Sequence, residues 1–411
     1  MPVLPAFAPD AARDRAAAEA FAAAELPTAE EEVWRYSPIG DLDLARYRLA
    51  PVADGPVDVP ACAQGVLDLA AGSGSVAIVT VNGRVVHRSA PGGPGGDRVE
   101  VGGAEALDGI ELPQPTDAFD ALNAAFGEPV VVRIPAGASP GPVVVFHYVE
   151  GDGIVSLPRL VVDAGPDADV RVLEVVRNTD DADALVIPVT DLLVGKAARV
   201  GHLVVQDLGR RAWQLGHQRS RVDADATLTA TAAGMGGAYG RQRTDCRLVG
   251  RGATGNLRAL WFGEDDQRLD FRTFQDHAAP DTTSDLVYKG AVGGRSRSVY
   301  TGLIRVEKNA RGTNAVQTNR NLKLSDEAWA ESVPNLEIHN NDVRCAHASA
   351  VGPVDAEQRW YLESRGVPTA AAERLIVAGF FDEVLADLPV GFAEGPIREL
   401  VTAKLARVGL A

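Results

Sequence analysis

From about residue 129 to residue 350 the sequence is a nearly unbroken succession of short strand-forming stretches, and no other feature restricts the fold as much. RLVVDA, VRVLEVV, HLVVQDL, TLTATAAG, RTDCRLVG, NLRALWF, RLDFRTF, SDLVYKGAV, SVYTGLIRV, TNAVQTNRNLKLS and DVRCAHAS follow one another at intervals of roughly ten to seventeen residues, divided by Gly, Asp, Asn and Pro. No helical period intervenes. A run this long fits either a large sandwich or barrel, or a solenoid whose coils stack on one another. Few of the connections are two-residue hairpin turns, which favours corners between the strands of a coil. Gln317, Asn319 and Asn321 fall on one parity of AVQTNRNLKLS, and stacked amides of this kind suit a β-helix. No hexapeptide or nonapeptide repeat is present, so periodicity alone favours the β-helix only slightly.

Both ends of the chain read differently. Residues 10 to 26 are alanine-rich with Asp10 placed to cap, and predict a helix that stops at Pro27. Thr28 and Glu31 have capping-box spacing and open a short helical turn leading into EVWRYSPIGDLDL. Asn82-Gly83 in SVAIVTVNGRVVH predicts a hairpin, and PGGPGGD at 91 to 97 a loop. After residue 350 helix returns: VDAEQRWYLESRG ends at Gly366, Thr369 is placed to cap AAAERLIVAGFFDEVLADL, and Pro396 and Gly409 frame IRELVTAKLARV. The middle helix carries Ile376, Val377, Phe380, Phe381, Val384, Leu385 and Leu388, an apolar face wide enough to predict a second covering partner. The expected division is 1–128 helical and mixed α/β, 129–350 β-helix core and 351–411 helical.

Charge and cysteine content narrow the function. The formal charge of -16, without a basic block, argues against nucleic acid. The N-terminus lacks a basic leader with an apolar run, and no apolar stretch is long enough to span a bilayer, so a cytoplasmic protein without membrane association is expected. Cys62, Cys246 and Cys345 are odd in number and far apart, as expected of free thiols. In NNDVRCAHASAVG, Cys345 and His347 project to one face if the segment is extended. Thiolate and imidazole are suitable iron ligands, and two of them make an incomplete set that a partner would finish. The alternative reading is a packed thiol beside a histidine that satisfies a corner carbonyl. His339 stands beyond a corner at Asn340-Asn341 and is left out of the site, with a solvent or turn role.

The segment TNAVQTNRNLKLSDEAWAESVPNLEIHNNDVRCAHASAVGPVDAEQRWYLESRGVPTAAAERLIVAGFFDEV resembles the C-terminal signature of the SufD family of iron–sulfur cluster assembly proteins, with support from EEVWRYSPIGDLD and SLPRLVVDAGPDADVRVLE. The related SufB proteins typically carry Glu-His-Glu where this chain has Cys345-Ala346-His347. The family usually shows Ser-His-Gly-Ala-Thr where Ala346-His347-Ala348-Ser349-Ala350 stands here, and leucines where Lys323 interrupts NLKLS. The resemblance implies a right-handed parallel β-helix between helical ends and a non-catalytic scaffold working with SufB and the ATPase SufC. It implies a transient iron or iron–sulfur cluster held between two β-helices, with His347 and Cys345 as this chain's ligands and no cofactor in the isolated chain. It also implies a SufC dock on the C-terminal helices, for which Tyr361, Arg365, Ile376, Phe380, Phe381 and Val384 are the candidates.

Two other readings stay open. A β-helix carbohydrate-active enzyme would use the carboxylates of GEDDQRLD or PDTTSD, although aspartates at such places are ordinary turn formers. A self-associating β-helix without cluster chemistry, a homodimer through its open strand edges, is the third.

Overall fold

A computed structural model describes residues 15–50, 57–89 and 99–410. The chain is mainly β: two long sheets face each other, and successive strands alternate between them. One sheet holds Pro129–Ile134, Arg159–Ala164, Val189–Val194, Trp213–Val222, Tyr239–Leu248, Arg268–His277, Arg297–Val306 and Trp329–Ile338, each paired parallel to the next. The other stacks Val143–Val149, Asp169–Asn178, Arg199–Asp207, Thr227–Gly234, Thr254–Gly263, Thr283–Val292, Thr313–Lys323 and Val343–Pro353 in the same sense. One strand from each sheet makes a coil, so the fold is a parallel β-helix of eight coils. Trp213 lies beside Tyr239 and Arg297 beside Trp329, so a coil takes between 26 and 32 residues.

Alternation along each strand sorts the side chains. Val143, Val145, Leu160, Val162, Val172, Leu192, Val200, Leu228 and Leu257 point inward and form one continuous core. Outward positions carry a second layer of cover. Over the first sheet, α1 (Arg15–Ala23) and the segment 32–49 join α3 (Ala118–Phe126), and Trp34, Phe119 and Leu122 meet Leu185, Leu215 and Tyr239. Over the second sheet lie α2 (Gln64–Gly72), α5 (Thr369–Leu385) and α6 (Glu394–Arg407), while α4 (Ala356–Ser364) leans on α5 through an Arg359–Glu373 contact of 2.8 Å.

Local signals give mixed results. Asn82 and Gly83, with φ of 52° and 85°, make the expected two-residue turn between antiparallel strands Val76–Val81 and Arg84–Arg88. Glu31 accepts the Thr28 amide hydrogen at 2.8 Å, the reciprocal half of a capping box, before a 3₁₀ turn at Glu32–Trp34. Asp10 and the 91–97 loop lie outside the described residues. Thr369 does not cap: it is the first residue of α5, behind Pro368, because proline already fixes the entry to the helix. The amides of Gln317, Asn319 and Asn321 all point inward but form no ladder. Their neighbours in the adjacent coils are Leu286, Tyr288 and Gly290 on one side and His347, Ser349 and Val351 on the other.

Buried charge ties the outer layer to the first sheet. The His217 ring lies between Asp120 of α3 (2.9 Å) and Asp245 (3.1 Å), while Arg219 holds Asp191 through two bonds of 2.8 and 2.9 Å. Burial alone would lower the imidazole pKa, but Asp245 and Asp120 outweigh it and push it up to about 9. Asp245 is lowered to about 2, since His217 and Arg243 overcome its burial. A raised folded pKa means that the contribution of His217 to stability is complete below its ordinary value near 6.5 and is lost as pH rises through about 9. Unfolding free energy measured in urea should therefore fall between about pH 7 and pH 10, and His217→Gln should remove part of that slope at a cost of about 3 kcal/mol at pH 7.

A second expectation concerns a corner. Ala197 occupies the left-handed region with φ of 56°, where an L side chain crowds its own carbonyl. Ala197→Gly should raise stability by about 0.5–1 kcal/mol, seen as a higher thermal midpoint.

Candidate functional site

The two ends of the β-helix differ. At the N-terminal end, Arg84–Arg88 and Glu100–Gly102 pair antiparallel with the neighbouring strands and are the first strands of their sheets. At the C-terminal end, Trp329–Ile338 and Val343–Pro353 are the last strands of their sheets, and among the described residues the outer edge of each is unpaired. Interior positions of this coil face solvent: Leu336 is 37% exposed, Ile338 42% and Val351 42%. Inside the coil, Ser349 bonds Ser332 across the lumen at 2.6 Å.

Cys345 and His347 both lie on the inward face of the last strand, in register with Ala315 and Gln317 of the coil below. Extended backbone places them two residues apart on one side. Cys345 is half-buried against Ile304, Val306, Ala310 and Ala315, and burial pushes its thiol pKa up. In the isolated chain the sulfur is therefore held as a thiol, and a metal would have to displace its proton. His347 is exposed at the open end. No group of three or more His, Cys, Asp or Glu side chains among the described residues is arranged to hold a metal ion. A soft thiol and an imidazole, side by side at an open edge, fit half of a shared iron site and do not fit a closed one.

The remaining candidates are placed as follows. His339 Nε2 lies 2.8 Å from Glu337 Oε1, and Arg305 holds Glu337 from the other side, an exposed surface pairing. Cys246 points into the core, where burial pushes its pKa up to about 12, and Cys62 lies exposed in a 3₁₀ turn at Ala61–Ala63. His202 bonds buried Glu174 at 3.0 Å. The carboxylates of GEDDQ are all paired: Glu264 with Lys404 and Arg407, Asp265 with Arg210, and Asp266 with Arg295. That leaves them serving the docking of α6 and the corners of the coil.

The apolar face of α5 requires a correction. Val377, Phe381, Val384 and Leu385 are fully buried against Leu203, Leu260, Phe262 and Ala291 of this same chain, with the Phe381 ring 6.4 Å from that of Phe262. The outward face of the second sheet is itself apolar, so the β-helix is the second cover that the width of the helix face calls for. Phe380 is half-buried; its carbonyl accepts from Lys289 at 2.8 Å, and the ammonium stands 4.8 Å from its ring. Tyr361 remains exposed at 54%, with the Arg365 guanidinium 5.1 Å from its ring. Ile376 is half-buried. Trp360 (68% exposed), which the sequence reads as a core or interface anchor, and Leu375 (54%), which it does not single out, add an aromatic and an aliphatic group to the exposed surface of α4 and the first half of α5.

Residues 147–380 match the SUF system FeS cluster assembly, SufBD core domain. The chain is 30% identical over 379 residues, 89% of its own length and 87% of the relative's, to an iron–sulfur cluster assembly SufBD family protein of Mycobacterium leprae. The chain belongs to the SufBD family. A SufBD family protein of Mycobacterium tuberculosis is 38% identical over 223 residues, which span 52% of this chain and 55% of that relative. The iron–sulfur cluster assembly protein SufD of Escherichia coli is 27% identical over 365 residues, 87% of this chain and 84% of that protein. Among the described residues no helix is long and apolar enough to cross a membrane.

The packing of α5 carries its own test. Phe381→Ala should destabilise the chain by about 3–4 kcal/mol, measured by chemical unfolding, because it opens a cavity between helix and sheet. Trp360→Ala and Tyr361→Ala should each change stability by less than about 0.5 kcal/mol.

Proposed function

We propose that this SufBD family chain is a SufD-type, non-catalytic scaffold subunit that works in the cytoplasm with a SufB-type β-helix and the ATPase SufC. The observation that carries the reading is the open C-terminal end of the β-helix, where unpaired strand edges surround an inward-facing thiol and imidazole. A second β-helix presenting similar edges continues the hydrogen bonding there and buries Leu336, Ile338 and Val351. It also brings the donors that Cys345 and His347 lack. The iron or the nascent cluster is cargo, taken up between the two chains and passed on. Thiolate and imidazole supply ligands of suitable softness, and assembly supplies the low-dielectric surroundings in which the thiol can exchange its proton for iron.

The exposed face of Trp360, Tyr361, Arg365 and Leu375 is the place for SufC. Flat aromatic groups beside a guanidinium are the side chains that most often anchor protein interfaces. Phe381 and Val384 contribute only indirectly, by fixing α5 on the sheet. A second copy of this chain would use the same strand edges, which makes a homodimer the state expected in the absence of the other subunits.

Co-purification from the native cell separates the readings: SufB- and SufC-type companions support the scaffold, whereas a homodimer alone, or polysaccharide cleavage, contradicts it. Trp360→Ala together with Tyr361→Ala should weaken SufC binding by 10-fold or more, while the β-helix partner is retained. The site itself is tested by anaerobic reconstitution of the complex with iron and sulfide, followed by absorption spectroscopy. His347→Ala should lower cluster yield severalfold with complex assembly and ATP hydrolysis unchanged, and Cys345→Ser should do so to a smaller degree. An unmodified rate and yield in the His347→Ala complex would sink the shared site.

A further inference from the structure

Immediately below His347, on the interior face of the β-helix, stands Gln317, fully buried, with neither its Nε2 nor its Oε1 in a hydrogen bond. Leaving a buried polar group unsatisfied costs on the order of 1–3 kcal/mol. A methionine would fill the same space without that cost. The next two inward amides each find a partner: Asn319 donates to the Tyr288 carbonyl at 3.1 Å and Asn321 to Asn319 Oδ1 at 2.8 Å.

The surroundings of the Gln317 amide leave one direction open. It reaches across the lumen to the bare backbone of Gly302, where an added Cβ would meet the Tyr300 hydroxyl first and come within 2.6 Å of Nε2 and 2.7 Å of Oε1; that hydroxyl is engaged with Thr273 at 3.0 Å and makes no bond to the amide. Below it in register is Leu286, which has no polar group in its side chain. Below Gly302 is Thr273, whose hydroxyl is already engaged with Tyr300 at 3.0 Å. Above Gly302 is Pro334, which has no N–H to donate. The polar side chain left in register is the imidazole of His347, one strand spacing away, roughly 4.8 Å along the sheet.

We propose that Gln317 is a positioning residue for His347: its buried amide holds the imidazole in one tautomer, with the other ring nitrogen turned to the open end. Gln317 Oε1 accepts the ring N–H, and rotation about the side-chain torsions of the two residues closes the bond. The lone pair of the second nitrogen then points out of the coil, as a histidine that ligates iron requires. The purpose of this arrangement rests on the shared-site reading, but the contact between the two side chains does not.

The test uses the full chain labelled with 15N in its histidine rings, with the His347 signals assigned by their loss in His347→Ala. Nitrogen shifts distinguish the two neutral tautomers. The unmodified protein should show a single tautomer at His347. Gln317→Met should convert it to the mixture of a free solvated histidine, and Gln317→Glu, which keeps an acceptor oxygen, should preserve it. A solvent-like mixture in the unmodified protein, which needs no variant to fold, overturns the proposal. So does a folded Gln317→Met chain with an unchanged His347 spectrum. If His347→Ala complexes build clusters normally while the single tautomer is seen, the shared site fails and the Gln317–His347 contact stands.

Discussion

Much of this fold hangs on one hydrogen bond repeated at one corner of six successive coils. Asp167, Ala197, Asp225, Gly252, Asp281 and Gly312 form a column in the left-handed conformation, with φ between 56° and 72°. The amide of each donates to the carbonyl just before the corner of the next coil, from Lys196 to Asp342, at 2.7–3.2 Å. The residue after each corner turns inward and is buried: Ala168, Ala198, Ala226, Ala253, Thr282 and Thr313. A larger side chain there would push the two sheets apart. Because the corner fixes where each strand begins, it sets the register of both sheets, and register decides which side chains face inward. The inward placement of Cys345 and His347 follows from it.

Much of this is legible in the sequence, although the repeat does not show as a short fixed period. The strands, the Asn82-Gly83 hairpin and the helical ends all have strong local signals, since hydrophobic alternation and turn chemistry act over a few residues. The coil period is present too, as a corner of Asp, Gly or Ala followed by Ala or Thr. It escapes a search for short fixed repeats because coils of 26 to 32 residues absorb insertions at their other corners. What could not be read was partnership over long range. That Phe381 meets Phe262, that His217 links Asp120 to Asp245, and that Lys404 reaches Glu264 all depend on chain segments far apart in sequence. For the candidate site the alternation of DVRCAHAS placed both side chains on one face, but not the openness of that face, which depends on where the stacking of coils stops.

The outer layer is tied on by charge acting on backbone as much as on side chains. Arg241 lies over the Trp34 ring at 3.9 Å and donates to the Val33 carbonyl at 2.8 Å, while Arg272 reaches the carbonyls of Glu32 and Arg35; both arginines are held by buried Asp270. The carbonyl of Glu32 also accepts the Arg35 amide hydrogen within the 3₁₀ turn, whereas those of Val33 and Arg35 are satisfied by the guanidinium groups. Such contacts are geometrically strict, so they fix the N-terminal segment in one place on the sheet where apolar packing alone would allow it to slide. Salt weakens these buried contacts little, whereas it screens the exposed anionic charges that lie more than about 10 Å away.

The interior itself changes character along the axis. Its first coils are filled by Val143, Val145, Val162, Val172 and Val194, interrupted by Glu174, which His147 and His202 hold ionised against its burial. Its last coils contain Gln275, Ser298, Gln317, Asn319 and Asn321, all buried. Among these, the side-chain polar atoms of Gln275, Ser298 and Gln317 and the carbonyl oxygen of Asn321 have no partner. Polar groups without partners are a poor way to fill a core, and the β-branched residues used at the other end would pack the same space at lower cost. The number of such atoms rises toward the open coil, while Gln214 Oε1, Gln218 Nε2 and Trp261 Nε1 lack partners in the middle coils. That location matters, because at the open coil another chain, water or an ion can reach the interior and complete the missing bonds. A solenoid that stops with its polar end exposed is therefore less stable alone than it is when extended, and that difference in free energy is available to favour association with a partner at this end over any other surface of the molecule.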